Sequence, residues 1–215
     1  MKDNLSLIKK EFLKNFPEIY SKPSKVNKYL KKYSNAIEKD LKNKFLNLGL
    51  DKNFVIYANG GFGRKEIFPI SDIDISIVEK GSKKNYIKLE EFISFLWDRG
   101  YKVGHSVRSI SDIKKIAKTD LKEFTSYLTR RTIVSNNEMD KKINMVLSKL
   151  WTKNNFYNAK YVEQQKRHND FYSTAYNLEP DLKESPGTLR DFQSALWILQ
   201  HLSLIHISEP TRLHG

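Results

Sequence analysis

No cysteine occurs among the 215 residues. That excludes a disulfide framework, a thiolate metal site and thiol catalysis. Long apolar runs are missing too: the longest, Phe54–Ala58 and Ala195–Leu199, are five residues, whereas a membrane-spanning helix needs about 20. Residues 1–6 lack the apolar stretch of a secretory signal. A cytoplasmic protein with no membrane partner is therefore expected. Glycine (9) and proline (6) are sparse, which excludes collagen-like and low-complexity classes. Arginine is absent from residues 1–48, where 12 lysines against 5 acids supply +7 of the net charge of +13. Bidentate reading of phosphate or guanine favours arginine. The excess is therefore read as lysine-rich helix surface, with a polyanion such as nucleotide phosphate as the alternative. Nucleic acid is not the expected partner.

What remains is a chain long enough to bury a core. Apolar residues at Val26, Leu30, Tyr33, Ile37, Leu41, Phe45 and Leu48 recur in steps of three and four, which predicts one long helix ending at Gly49. Residues 53–58 are β-branched and aromatic and read as a strand. Residues 73–78 alternate, with Ile73, Ile75 and Ile77 on one face and Asp72, Asp74 and Ser76 on the other. Residues 86–99 read as a helix stopped by Gly100, and 101–107 as a third strand. Beyond Ser109 strand signals nearly vanish. Helices are expected over 111–117, 120–133, 138–150, 155–175 and 189–201, with a Pro/Gly-punctuated connection at 177–188. The expected class is α+β, a small mixed sheet followed by an all-helical domain. The expected boundaries are 1–48 for N-terminal helices, 49–135 for the core, 136–202 for the helical domain and 203–215 for a tail.

The informative stretch runs from Gly60-Gly61-Phe62-Gly63 to Ser71-Asp72-Ile73-Asp74. Glycines let the backbone approach a ligand closely. Residues i and i+2 of a strand share a face, so Asp72 and Asp74 project together. Carboxylates this close repel unless a cation neutralises them. Oxygen-only ligands suit Mg²⁺, held by one or two carboxylates and substrate phosphates.

The order of strand, Gly-Gly, short helix and Ser71-Asp72-Ile73-Asp74 resembles the DNA polymerase β-type nucleotidyltransferase superfamily. The whole string from Gly60 to Asp74 is more similar to the N-terminal domain of the bifunctional uridylyltransferase/uridylyl-removing enzymes, which modify the PII nitrogen-signalling protein. Residues 101–108 resemble that family's third core strand, and 176–191 its helical-domain signature. The likeness runs from about Val26 to about His201. It implies a nucleotidyltransferase core and transfer of UMP from UTP to a PII tyrosine, releasing pyrophosphate. It implies Mg²⁺ on Asp72 and Asp74, the catalytic pair, and nucleotide contacts from Gly60, Gly61, Arg64 and Ser71. Further candidates are Glu66, His105, Glu179, Lys183, Arg190 and Asp191. The last four are expected in a loop closing over the nucleotide, or else in a salt-bridged connection. Arg64 and Glu66 also suit a plain salt bridge.

The chain departs from the resemblance in three ways. The family's proteins are several times longer, with an HD phosphohydrolase domain and glutamine-sensing ACT domains. Here no histidine is followed by aspartate, so the uridylyl-removing activity is not expected. A third carboxylate common in the superfamily is replaced by His105 and Ser106. Residues 203–215 resemble a translated sequencing-adapter string and are expected to be artefactual. Two alternatives stand: a nucleotidyltransferase acting on a small molecule or RNA, and a nucleotide-binding fragment without catalysis.

Overall fold

The computed structural model describes residues 10–14, 22–81, 85–134, 137–172 and 181–208, with side chains in the last stretch to Ser203. The chain forms two compact units, Met1–Ser111 with Arg130–Met139, and Asp112–Thr129 with Asp140–Gly215.

In the first unit, α1 (Pro23–Asn47) begins with a proline in its first turn and ends before Gly49, whose φ is +67°. Proline costs nothing where no N–H is needed, and glycine takes the left-handed turn that ends a helix. Then follow β1 (Phe54–Ala58), the short α2 (Gly60–Arg64), β2 (Ile73–Glu79), α3 (Tyr86–Asp98) and β3 (Val103–Arg108). The sheet order is β3-β2-β1-β4, where β4 is Arg131–Thr132. Strand β1 runs antiparallel to β2 and β4, and β2 runs parallel to β3 through the α3 crossover.

The predicted alternation of β2 holds: Ile73, Ile75 and Ile77 are buried while Asp72 and Asp74 are exposed. The isoleucine face packs with Phe54, Ile56 and Ala58 under Ile37, Leu41 and Phe45 of α1 and Phe92 and Leu96 of α3. Helix α1 therefore belongs with the sheet rather than to a separate N-terminal segment. Asp40 of α1 accepts hydrogen bonds from Arg99 (3.0 Å) and Tyr101 (3.1 Å), tying α1 to the end of α3.

The second unit holds α4 (Ile110–Thr119, from Asp112 on), α5 (Leu121–Leu128), α6 (Asn137–Ser148, from Asp140 on), α7 (Lys153–Tyr172) and α8 (Leu189–Ser208). Asp120 caps α5 by accepting the N–H groups of Lys122 (2.8 Å) and Glu123 (3.1 Å). Phe124, Trp151, Phe156 and His201 form an aromatic cluster. Residues 112–129 thus go with the helical unit, although the linear boundary at 135 groups them with the sheet. The helix expected over 120–133 stops at Leu128, because Arg131 and Thr132 pair with Ala58 and Tyr57. Among the described residues no helix is long and apolar enough to cross a membrane. The expected connection at 177–188 is described only from Asp181.

Candidate nucleotide and metal site

Asp74 stands where three backbone segments meet. In the parallel register it lies opposite Gly104 of β3. A Cβ at Gly104 would sit 2.7 Å from Asp74 Oδ1, and a Cβ at Gly60 would sit 3.1 Å from Asp74 Oδ2. The first distance is closer than real contacts allow. Gly60 also has φ of +52°, a conformation that disfavours any side chain. The Asp74 carboxylate is therefore walled by backbone from both sides. Gly61 differs: a Cβ there would meet Ile67 Cγ2 at 3.4 Å, an ordinary contact. Of the glycine pair, Gly60 is the one this arrangement requires.

Asn59 joins these parts. Its N–H donates to the Asp74 carbonyl (2.9 Å), and its own carbonyl accepts the Gly63 N–H (2.7 Å). Its side-chain Nδ2 donates to Ser76 Oγ at 2.5 Å, and Ser106 Oγ reaches Ser76 Oγ at 3.4 Å. Asn59 and Ser76 are buried, so this polar chain lies against the sheet on the Asp74 face. Asn59 Oδ1 is buried with no partner in the structure. An unpaired buried acceptor costs about 1–3 kcal/mol.

Arg64 pairs with Glu66 at 2.7 Å, both partly exposed, so the plain salt bridge is present. Ser71 Oγ accepts the Phe68 N–H (3.2 Å), and its own N–H donates to the Phe68 carbonyl (2.9 Å). That is a turn-closing role which leaves its hydroxyl proton free of this bond. His105 is in register with Ile75. It therefore points to the opposite sheet face from Asp74 and meets Trp97 edge-on at 6.3 Å. Ser106 and Gly104 share the Asp74 face, so the β3 residue beside the carboxylate is Gly104 and not the histidine.

The candidates of the helical signature are engaged within the second unit. Glu179 lies outside the described residues. Lys183 is exposed and 4.0 Å from Glu184. Arg190 donates to Glu184 (2.7 Å) and to Gln193 (2.9 Å). Asp191 accepts from Gly187 N (2.7 Å) and contacts Arg167 and His168 of α7. Burial alone would raise the Asp191 pKa. The Gly187 N–H and the His168, Gln164 and Arg167 side chains outweigh it and hold the carboxyl at about 2. The salt-bridged connection is the arrangement found.

Among the described residues no group of three or more His, Cys, Asp or Glu is placed to hold a metal ion. A cation at Asp74 would take its other ligands from Asp72, water and a bound phosphate. This partial oxygen set fits Mg²⁺, which keeps several waters and needs few protein ligands. Sequence reasoning missed Asn59 as a buried polar joint, Gly104 as the neighbour of Asp74, and Arg131. The first two were readable as a polar residue before the glycines and as a glycine on the following parallel strand. Arg131 had no local signal.

Comparison with known proteins gives a consistent result. A family model described as GlnD PII-uridylyltransferase matches residues 155–213. That match continues through most of the tail expected to be artefactual, and α8 runs unbroken to Ser208. A bifunctional uridylyltransferase/uridylyl-removing enzyme of Haemophilus influenzae (strain PittEE) is 40% identical over 152 residues, 69% of this chain and 18% of that protein. The enzyme of the same name from Pasteurella multocida (strain Pm70) is 36% identical over 176 residues, 79% of this chain and 20% of that protein. That of Acinetobacter baumannii (strain ATCC 17978) is 35% identical over 189 residues, 86% of this chain and 21% of that protein. The chain thus spans about a fifth of the length of these relatives. A crystal structure of a toxin–antitoxin with AMP-PNP aligns at 18% identity and a TM-score of 0.35, over 61% of this chain and 98% of that one. That likeness is too slight to carry an argument.

Proposed function

Since this chain belongs to the bifunctional uridylyltransferase/uridylyl-removing enzyme family, we propose that it carries the family's nucleotidyl-transfer site. The reaction is Mg²⁺-dependent transfer of UMP from UTP to a tyrosine hydroxyl of the PII protein. The hydroxyl oxygen bonds to the α-phosphorus, the bond from the α-phosphorus to the bridging oxygen breaks, and pyrophosphate leaves. The hydroxyl proton passes to solvent. The observation that carries this reading is the Asp74 carboxylate between Gly60 and Gly104, near the start of β2, with Asp72 just before the strand.

Asp72 and Asp74 would hold Mg²⁺, which when bound supplies positive charge to the phosphates and lowers the pKa of the attacking hydroxyl. The rest is the work of the chain. Gly60 and Gly104 leave room beside the carboxylate that any side chain would fill. Ser71 has a hydroxyl proton available to a phosphate oxygen. Arg64, already paired with Glu66, can turn its remaining guanidinium N–H groups toward the nucleotide. The second unit anchors its own signature through Asp191 and Arg190.

The test is incubation of the 215-residue chain with PII, Mg²⁺ and each labelled nucleoside triphosphate. Label should pass from UTP to PII. Asp74→Asn should keep the fold and lower turnover by about 10²–10³, the usual cost of removing stabilisation of developing charge. Unchanged Mg²⁺-dependent turnover in that variant would show the carboxylate to be structural.

A further inference from the structure

Arg131 lies 68 residues from the glycine segment in sequence yet reaches its backbone directly. Its Nε donates to the Gly63 carbonyl at 2.8 Å and its Nη2 to the Phe62 carbonyl at 3.1 Å. These are carbonyls of the last turn of α2, where a helix runs out of intrahelical donors; the Phe62 carbonyl also accepts the Lys65 N–H at 3.1 Å. The third arm, Nη1, donates to Glu38 Oε2 of α1 at 2.7 Å. The guanidinium also lies 5.8 Å from the centre of the buried Phe62 ring. The side chain retains about a quarter of its exposure. Each of its three nitrogens is thus committed to a different neighbour, which only a planar fork can do.

The other end of the same segment is tied down by Asn59, bonded to the Asp74 carbonyl and to Ser76. Between these ties lies Gly60, where an added Cβ would stand 3.1 Å from Asp74 Oδ2. A five-residue helix with three glycines has little intrinsic stability. Something outside it must hold its position. We infer that Arg131 is a positioning residue: with Glu38 behind it, its guanidinium fixes the glycine segment as one wall of the Asp74 cleft. This rests on the functional reading above. It adds that the wall depends on a residue from a different part of the chain, on the short edge strand β4.

The geometry separates positioning from simple stabilisation. Arg131→Lys keeps the charge near Glu38 but cannot reach two carbonyls and a carboxylate at once. Arg131→Ala removes all contacts. The experiment titrates UTP with Mn²⁺ into the 215-residue chain by calorimetry and measures thermal unfolding alongside. Wild type should bind the nucleotide. Arg131→Lys should weaken it at least fivefold while its melting temperature stays within a few degrees of wild type. Arg131→Ala should weaken it by at least as much, and Glu38→Gln by less than Arg131→Lys. Wild-type affinity in a folded Arg131→Lys would overturn the inference. Asp74→Asn, run in parallel, keeps the two readings apart. If it loses Mn²⁺-dependent affinity while Arg131→Lys does not, only the positioning role fails. If wild type itself binds no Mn²⁺–UTP, the functional reading fails and takes the inference with it.

Discussion

Asp74 sits between two glycines where an added side chain would crowd its carboxylate, and each makes a different demand. At Gly104 the demand is space, since a Cβ would lie 2.7 Å from Oδ1. At Gly60 it is also conformation, with φ at +52°. Gly104→Ala should therefore leave the strand paired but push the carboxylate off its site. The expected result is at least a tenfold fall in UMP transfer with far-ultraviolet dichroism unchanged. Full activity would show that the carboxylate can turn away at no cost. Lys65 is the converse case. It takes φ of +62° without being glycine, which costs about 1–2 kcal/mol for an L-residue. Its Nζ reaches Asn35 at 2.7 Å and Glu38 at 3.7 Å. Lys65→Ala and Lys65→Gly lose those contacts equally, and only the glycine relieves the backbone. Lys65→Gly should thus be the more stable of the two by about 1 kcal/mol in urea unfolding.

At the scale of elements, the helix pair α7–α8 is joined by charge. Arg167 and His168 of α7 meet Asp191 in the first turn of α8. A carboxylate there also suits the helix dipole. The folded Asp191 pKa of about 2 lies below the ordinary value of 3.8. The unfolded chain therefore binds the proton more readily. The resulting stabilisation, on the order of 2 kcal/mol, is complete above pH 4 and is lost as pH falls toward 2. Asp191→Asn should be less stable at pH 7 by about that amount, and its stability should fall less steeply between pH 4 and pH 2. The same elements show what the sequence disclosed. Helix α1 and strand β2 were legible because one face of each is apolar at the right period, as at Ile37, Leu41 and Phe45 or Ile73, Ile75 and Ile77. Strand β4 was not, because two residues carry no period and only pairing with β1 makes them a strand. Asp74 was legible from its spacing to Asp72. Its neighbour Gly104 needed the parallel register, which also turns His105 to the other face. Arg131 could not be found, because nothing near it in sequence marks the carbonyls it binds.

The whole molecule carries two separately built interiors, and they differ in what they bury. The first unit packs aliphatic and phenylalanine side chains against one sheet face. The second buries a histidine among aromatic rings. His201 is 1% exposed, with Phe156 at 4.5 Å and Phe124 at 5.4 Å between ring centres. Its Nε2 lies 3.1 Å from the Trp151 carbonyl and so carries the proton, while Nδ1 is buried without a partner. A second proton would place a charge in this buried aromatic setting, and burial lowers the His201 pKa, outweighing the Trp151 and Thr152 backbone, which favours the charged form. The sign follows from linkage: the unfolded chain takes up this proton near pH 6.5 and the folded one only at lower pH. The stabilisation is therefore present above pH 6.5 and is lost as pH falls from there through the folded value. Among the described residues of the sheet unit no histidine is buried. Hydrogen exchange, corrected for the intrinsic pH dependence, should show the backbone of α5 and α8 losing protection between pH 7.5 and pH 5. The amides of β1 and β2 should lose less. His201→Gln, which keeps a donor for Trp151 but cannot titrate, should lower stability at pH 7.5 and abolish the difference between the two pH values. Equal loss of protection in both units, or an unchanged pH response in His201→Gln, would assign the acid sensitivity to other groups.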